Sequence, residues 1–180
     1  SWPGGGTTSW VAASAASTSL NVTSDITMIF WVKCAASQGG MVYSNSTSAG
    51  VFVEYSGGLY RVRYWYWDAN PNWVNYATGY TAFSPNVWTH VAVVNKPGAS
   101  GLAWPICYIN GTPIVMNALG YTPQANNAGG NTAIYIGEYS IYRPYSQFVG
   151  NIGSAKVYNR MLSQDEIITD YNGSREVYGI

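Results

Sequence analysis

The chain has 180 residues, eight Lys and Arg against eight Asp and Glu, no net charge at pH 7 and only 9% charged residues in all. That length suits one domain able to bury about 70% of its unfolded surface, and a hydrophobic share of 47% excludes a disordered chain. Charge this sparse and balanced offers no footprint to a phosphate backbone or an anionic membrane, which excludes nucleic acid and membrane as partners.

Strand signals dominate the predicted elements. Residues 1–8 form a Gly-rich, flexible arm with one large anchor, Trp2, and the domain proper runs over 9–180. Ile26–Cys34 is β-branched and aromatic between polar segments, which predicts the first strong strand. Strands follow at 41–44 and 50–55, the second ending at the turn Ser56-Gly57-Gly58. Residues 59–67 alternate, with Tyr60, Val62, Tyr64 and Tyr66 on one face and Arg61, Arg63, Trp65 and Trp67 on the other. Residues 68–72 compose a turn, and 73–80 closes a hairpin. Residues 87–94 are the clearest buried strand. The strand 106–109 runs into Asn110-Gly111, a type I′ hairpin turn, and 112–116 returns. A loop covers 117–131, and strands follow at 133–137 and 148–158. One helix is predicted: Ser163 and Glu166 make a capping box, Ile167, Ile168 and Tyr171 supply an apolar face, and Asn172-Gly173 is the expected stop. Many short strands without βαβ alternation make an all-β sandwich.

No run of eighteen apolar residues and no basic leader followed by an apolar core is visible, so neither a membrane span nor a signal peptide is expected. Cys34 and Cys107 both sit in apolar strand-like runs and are read as free, buried thiols. With a single histidine, His90, they make a poor metal site, so no metal and no cofactor are expected.

An ordered series of motifs carries a resemblance. It runs Trp88-Thr89-His90-Val91-Ala92-Val93-Val94, Cys107-Tyr108-Ile109-Asn110-Gly111, Ile136-Gly137, Phe148-Val149-Gly150-Asn151-Ile152, then Val157-Tyr158-Asn159-Arg160-Met161-Leu162-Ser163 with Glu166-Ile167. This series resembles the laminin-G-like group of the concanavalin A-like lectin/glucanase superfamily, and residues 20–33 are similar to that family's first strong strand. The resemblance covers residues 9–172. It implies an all-β jelly-roll sandwich of two antiparallel sheets with one short C-terminal helix. The motif residues also read as architecture in their own right: His90 as a hydrogen-bonded core residue, and Arg160 as an anchor through carbonyls or a carboxylate.

Part of that superfamily hydrolyses glucans, which needs two carboxylates about 5 to 9 Å apart. The eight acids are Asp25, Glu54, Asp68, Glu138, Asp165, Glu166, Asp170 and Glu176, and none forms a strand-spaced pair. No G-x-S-x-G, H-E-x-x-H or P-loop pattern occurs either. No catalytic residue is expected, and a glycoside hydrolase built on a cross-strand acid pair is the minor alternative. Asp68, Asn70 and Asn72 resemble the start of a calcium loop, but Pro71 and the missing Gly and Glu argue against one.

The most unusual segment is the aromatic hairpin. Arg61, Arg63, Trp65, Trp67, Asp68, Asn70 and Trp73 combine ring faces with amide, carboxylate and guanidinium groups. Rings stack on the apolar faces of pyranoses while polar neighbours bond the hydroxyls; the same residues also suit burial against a neighbouring subunit. Tyr142, Arg143 and Tyr145 form a second aromatic-polar patch in a loop between two motif strands. The reading that results is a non-catalytic, lectin-like binding or adhesion module on an extracellular assembly, such as a virion decoration or fibre protein that binds glycans. The alternative is a purely structural capsid or assembly protein with no ligand. Partners are expected to be glycans, structural proteins or further copies of the chain.

Overall fold

The computed structural model describes residues 11–14, 25–45, 49–67, 73–80, 82–96, 105–120, 133–138 and 147–180. Two antiparallel sheets pack face to face. The first contains β1 (Val11–Ser14), β3 (Gly40–Asn45), β4 (Ala49–Ser56), β5 (Leu59–Trp67), β6 (Trp73–Ala77), β10 (Asn117–Ala118) and β11 (Ala133–Ile136), in the order β1-β11-β3-β4-β5-β6-β10. The second contains β2 (Ile26–Cys34), β7 (Thr89–Asn95), β8 (Ile106–Ile109), β9 (Thr112–Val115) and β12 (Gly150–Tyr158), in the order β12-β2-β7-β8-β9. This is the jelly-roll sandwich that the motif series implies.

Between the sheets lies the main core. Met28, Phe30 and Val32 of β2 with Val91 and Val93 of β7 meet Val51, Val53, Tyr60, Val62 and Tyr64 from the other sheet. The alternate residues Ile29, Ala92 and Val94 point the opposite way, into a second cluster with Leu162 and Ile167. Strands β2 and β7 are therefore buried on both faces, which is why they read as unbroken apolar runs. The cover is α1 (Gln164–Ser174), whose capping box at Ser163 and Glu166 forms as expected.

The helix does not stop at Asn172-Gly173. It runs on to Ser174 and continues as a 3₁₀ turn over Arg175–Tyr178, ending at Gly179 with φ 73°. Tertiary contacts override the local signal. Trp31 Nε1 donates to Ser174 Oγ at 2.9 Å, and the Trp31 ring stacks on Tyr171 and Tyr178 at 5.9 and 4.3 Å. Two further strands went unread in the sequence, β1 and the two-residue β10, because only their pairing with β11 and β6 makes them strands.

His90 is fully buried, as its strand position suggested. Its Nε2 lies 3.2 Å from Asp170 Oδ1, while Lys156 Nζ meets the other oxygen. Burial pulls the imidazole pKa below its ordinary value, against the opposing pull of Asp170. The group is a structural latch between β7 and α1. Arg160 pairs with the carboxylate of Glu166 at 2.8 Å beside the cap. The two thiols are free and buried. Val93 pairs with both Met28 and Cys107, and Cys34 lies six residues further along β2, about 20 Å away at strand rise. That is too far for a disulfide.

Candidate functional site

The hairpin β4–β5 turns at Gly57 and Gly58, with φ of 59° and 88°. Two consecutive residues of positive φ suit a two-residue I′ connection, and glycine adopts them freely. That turn fixes the register. Ser56 faces Leu59, so Glu54 faces Arg61, Phe52 faces Arg63 and Gly50 faces Trp65. Alternation then sends Tyr60, Val62, Tyr64 and Tyr66 into the core. Arg61, Arg63 and Trp65 belong to the outer face of the seven-stranded sheet, as the sequence parity predicts.

On that face the register draws two rows across the strands. One row is Tyr135, Ser44, Gly50, Trp65 and Asn75; the next is Met41, Phe52, Arg63 and Ala77. Glu54 binds both guanidiniums. Its Oε2 accepts from Arg61 Nε at 2.6 Å and lies 2.5 Å from Arg61 Nη2, while its Oε1 accepts from Arg63 Nη1 at 2.7 Å. Asn75 Oδ1 accepts from Arg63 Nε and Nη2 at 2.9 and 2.7 Å. The Arg61 guanidinium also lies over the Tyr80 ring, 4.4 Å from its centroid. Arg63 is the most open of the three charged groups, with its side chain 35% exposed.

Trp65 corrects an expectation. It sits on the predicted face, yet only 5% of it meets solvent. Its indole lies over Gly50, where a Cβ would fall 2.7 to 2.8 Å from three ring atoms, and it clusters with Met41 and Phe52. The missing side chain at position 50 leaves a slot that the ring fills. Trp65 is thus a buried support of the face and no open stacking platform.

Trp67 and Trp73 pair directly across β5 and β6, two residues beyond the Trp65–Asn75 pair. Asp68, Asn70, Tyr142, Arg143 and Tyr145 lie outside the described residues, as do the calcium-like segment and the arm 1–8. The structure therefore brings Arg61, Arg63 and Trp65 together. It adds Glu54 and Asn75, which sequence reasoning passed over. Glu54 was legible, since a turn centred on Gly57-Gly58 places residue 54 opposite residue 61.

The remaining described acids have structural partners or positions of their own. Glu138 is buried, and its Oε2 accepts from Gln147 Nε2 at 3.4 Å. Arg160, with help from the Ser163 amide, holds Glu166 down to about 2. Among the described residues, no three His, Cys, Asp or Glu gather as a metal site, and no helix is long and apolar enough to cross a membrane.

A sequence-family model described as the concanavalin A-like lectin/glucanases superfamily matches residues 5–168. No curated protein matches the chain by sequence. Among solved structures, the native heptameric SAP-like pentraxin from Limulus polyphemus is similar at 14% identity and a TM-score of 0.61, over 82% of this chain and 69% of that one. The CBM40 of the Ruminococcus gnavus IT-sialidase, solved bound to alpha2,3 sialyllactose, is similar at 14% identity and a TM-score of 0.60, over 84% of each chain. The binding domain of Botulinum Neurotoxin DC, in complex with SialylT, matches at 12% identity and a TM-score of 0.54, over 85% of this chain but 36% of that one. At these identities the likeness is one of fold.

Proposed function

The chain belongs to the concanavalin A-like lectin/glucanase superfamily, and on that footing we propose that it is a non-catalytic glycan-binding module. Its site in this reading is the outer face of the seven-stranded sheet around β4, β5 and β6. One observation carries the proposal: Arg61 and Arg63 are held in fixed positions by Glu54 and Asn75 on a sheet face supported by Trp65 and Phe52. Pre-aligned polar groups beside partly exposed aromatic side chains, here Phe52 and Tyr80, are recognition chemistry of sugars. The structural neighbours solved with a sialylated ligand lend the reading support. Both oxygens of Glu54 are occupied by guanidiniums, which favours binding over general acid or base work there.

The proposed face continues to Trp67 and Trp73 at the open end of the hairpin, with Asp68 and Asn70 in the connection between them. Tyr142, Arg143 and Tyr145 are a proposed second contact, in the segment between β11 and β12. The proposed setting is an extracellular assembly, such as a virion surface, where low charge and many aromatic residues suit contact with other chains.

A glycan array probed with the purified chain tests the proposal. Selective binding is expected, and Trp67→Ala with Trp73→Ala should weaken it about tenfold or more, the scale of a lost stacked ring. Binding that survives both changes would move the site elsewhere. Binding to no glycan would leave the purely structural role in an assembly as the better reading.

A further inference from the structure

Among the described residues, charge within the cluster of Glu54, Arg61, Arg63 and Asn75 does not balance. Arg61 and Arg63, among the described residues, share the carboxylate of Glu54, and Asn75 meets Arg63 through a neutral carboxamide oxygen. A guanidinium stays charged throughout the working range of a protein. The cluster therefore keeps one positive charge, in a chain that has only sixteen charged side chains, eight of each sign. A carboxylate at position 75 would have neutralised it.

The surplus charge sits on a prepared group. Glu54 and Asn75 engage Nε, Nη1 and Nη2 of Arg63 once each. That uses three of its five N–H donors and leaves two, on a side chain that is 35% exposed. The bracing from both sides fixes the plane of the guanidinium before any ligand arrives, which lowers the ordering cost of binding. Arg61 is turned to a different task, since it stacks on Tyr80 and is only 19% exposed.

We infer that this face selects glycans bearing an anionic group, a ring carboxylate or a sulfate ester, and that Arg63 receives it. The inference rests on the glycan-binding reading of the same face and names its ligand class. A neutral hydroxyl gains from Arg63 only an ordinary hydrogen bond. An anion gains bonds assisted by both charges, roughly twice as strong, and cancels the surplus on the sheet.

Arrays carrying matched carboxylated, methyl-esterified and sulfated forms of the same oligosaccharides test this, with calorimetric titration of the best set. The acid or the sulfate should bind at least about tenfold tighter than the ester, and that preference should shrink as salt is added. Whichever of the two binds tighter identifies the anion. Glu54→Gln raises the surplus charge and should widen the preference, while Asn75→Asp removes the surplus and should erase it. Opposite effects from two near-isosteric changes separate charge from misfolding. Equal affinity for acid, sulfate and ester overturns this inference and leaves the glycan-binding reading standing. Affinity for none of the arrayed sugars overturns both.

Discussion

At position 50 a side chain would occupy the space in which the Trp65 indole lies. Gly50 needs no unusual backbone angle there; what it supplies is room. Gly50→Ala would push a methyl against three atoms of a rigid ring, and the ring is hemmed by Met41 and Phe52. Overpacking of that kind costs about 1–3 kcal/mol. Denaturant unfolding should register the loss, and unchanged stability would mean that the ring is not seated over Gly50. Alternation along β5 assigns Trp65 to the outer face from sequence alone. Its burial was not legible there, because the cover comes from β3 and β4, whose register against β5 depends on a bulge between Met41 and Tyr43 and on the hairpin turn. Asn75 escaped for a related reason: a residue's partner across a sheet is a sum of positions, and the composition of 68–72 does not fix that sum for β5 and β6 as Gly57-Gly58 fixes it for Glu54.

Elements that are long or sharply punctuated could be read directly. Ile26–Cys34 and Leu59–Trp67 have the bounds the sequence implies, and Asn110-Gly111 makes its turn with φ of 51° and 77°. The end of α1 could not be read that way. Asn172-Gly173 is a sound local stop, yet the helix continues because Trp31, on a strand far away in sequence, binds Ser174 and stacks on Tyr178. The two accounts of this segment differ in a measurable way. Gly173 lies inside the helix with open space around its Cβ position. Gly173→Ala should therefore stabilise the protein by about 0.5–1 kcal/mol, measured as a rise in the unfolding midpoint. A fall in the midpoint would place Gly173 in a left-handed cap and the helix end where the dipeptide suggests. Short β1 lies at the other extreme, since four residues pair with β11 more than a hundred positions away.

Across the whole molecule the outer faces of the two sheets differ in what covers them. The five-stranded sheet has its outer face covered by α1 through Ile29, Ala92, Leu162 and Ile167, with His90 latched to Asp170. Trp31 and His90 at its centre are fully buried beneath that cover. The seven-stranded sheet carries the Glu54–Arg61–Arg63–Asn75 network on its outer face, and that network stays partly open to solvent. The fold class was legible, and so was the outward parity of Arg61, Arg63 and Trp65, because both follow from alternation and turn chemistry. The geometry of the Glu54–Arg61–Arg63–Asn75 network was not, because it is made by contacts between three strands. The most direct measurement of the central claim is heteronuclear NMR of the labelled chain, titrated with the tightest oligosaccharide from the arrays. The side-chain Nε resonances of Arg61 and Arg63 and the Nδ2 resonance of Asn75 should shift first and furthest, with their backbone neighbours on β4, β5 and β6. Shifts confined to α1 and the five-stranded sheet, with those three side chains unmoved at saturation, would contradict the account.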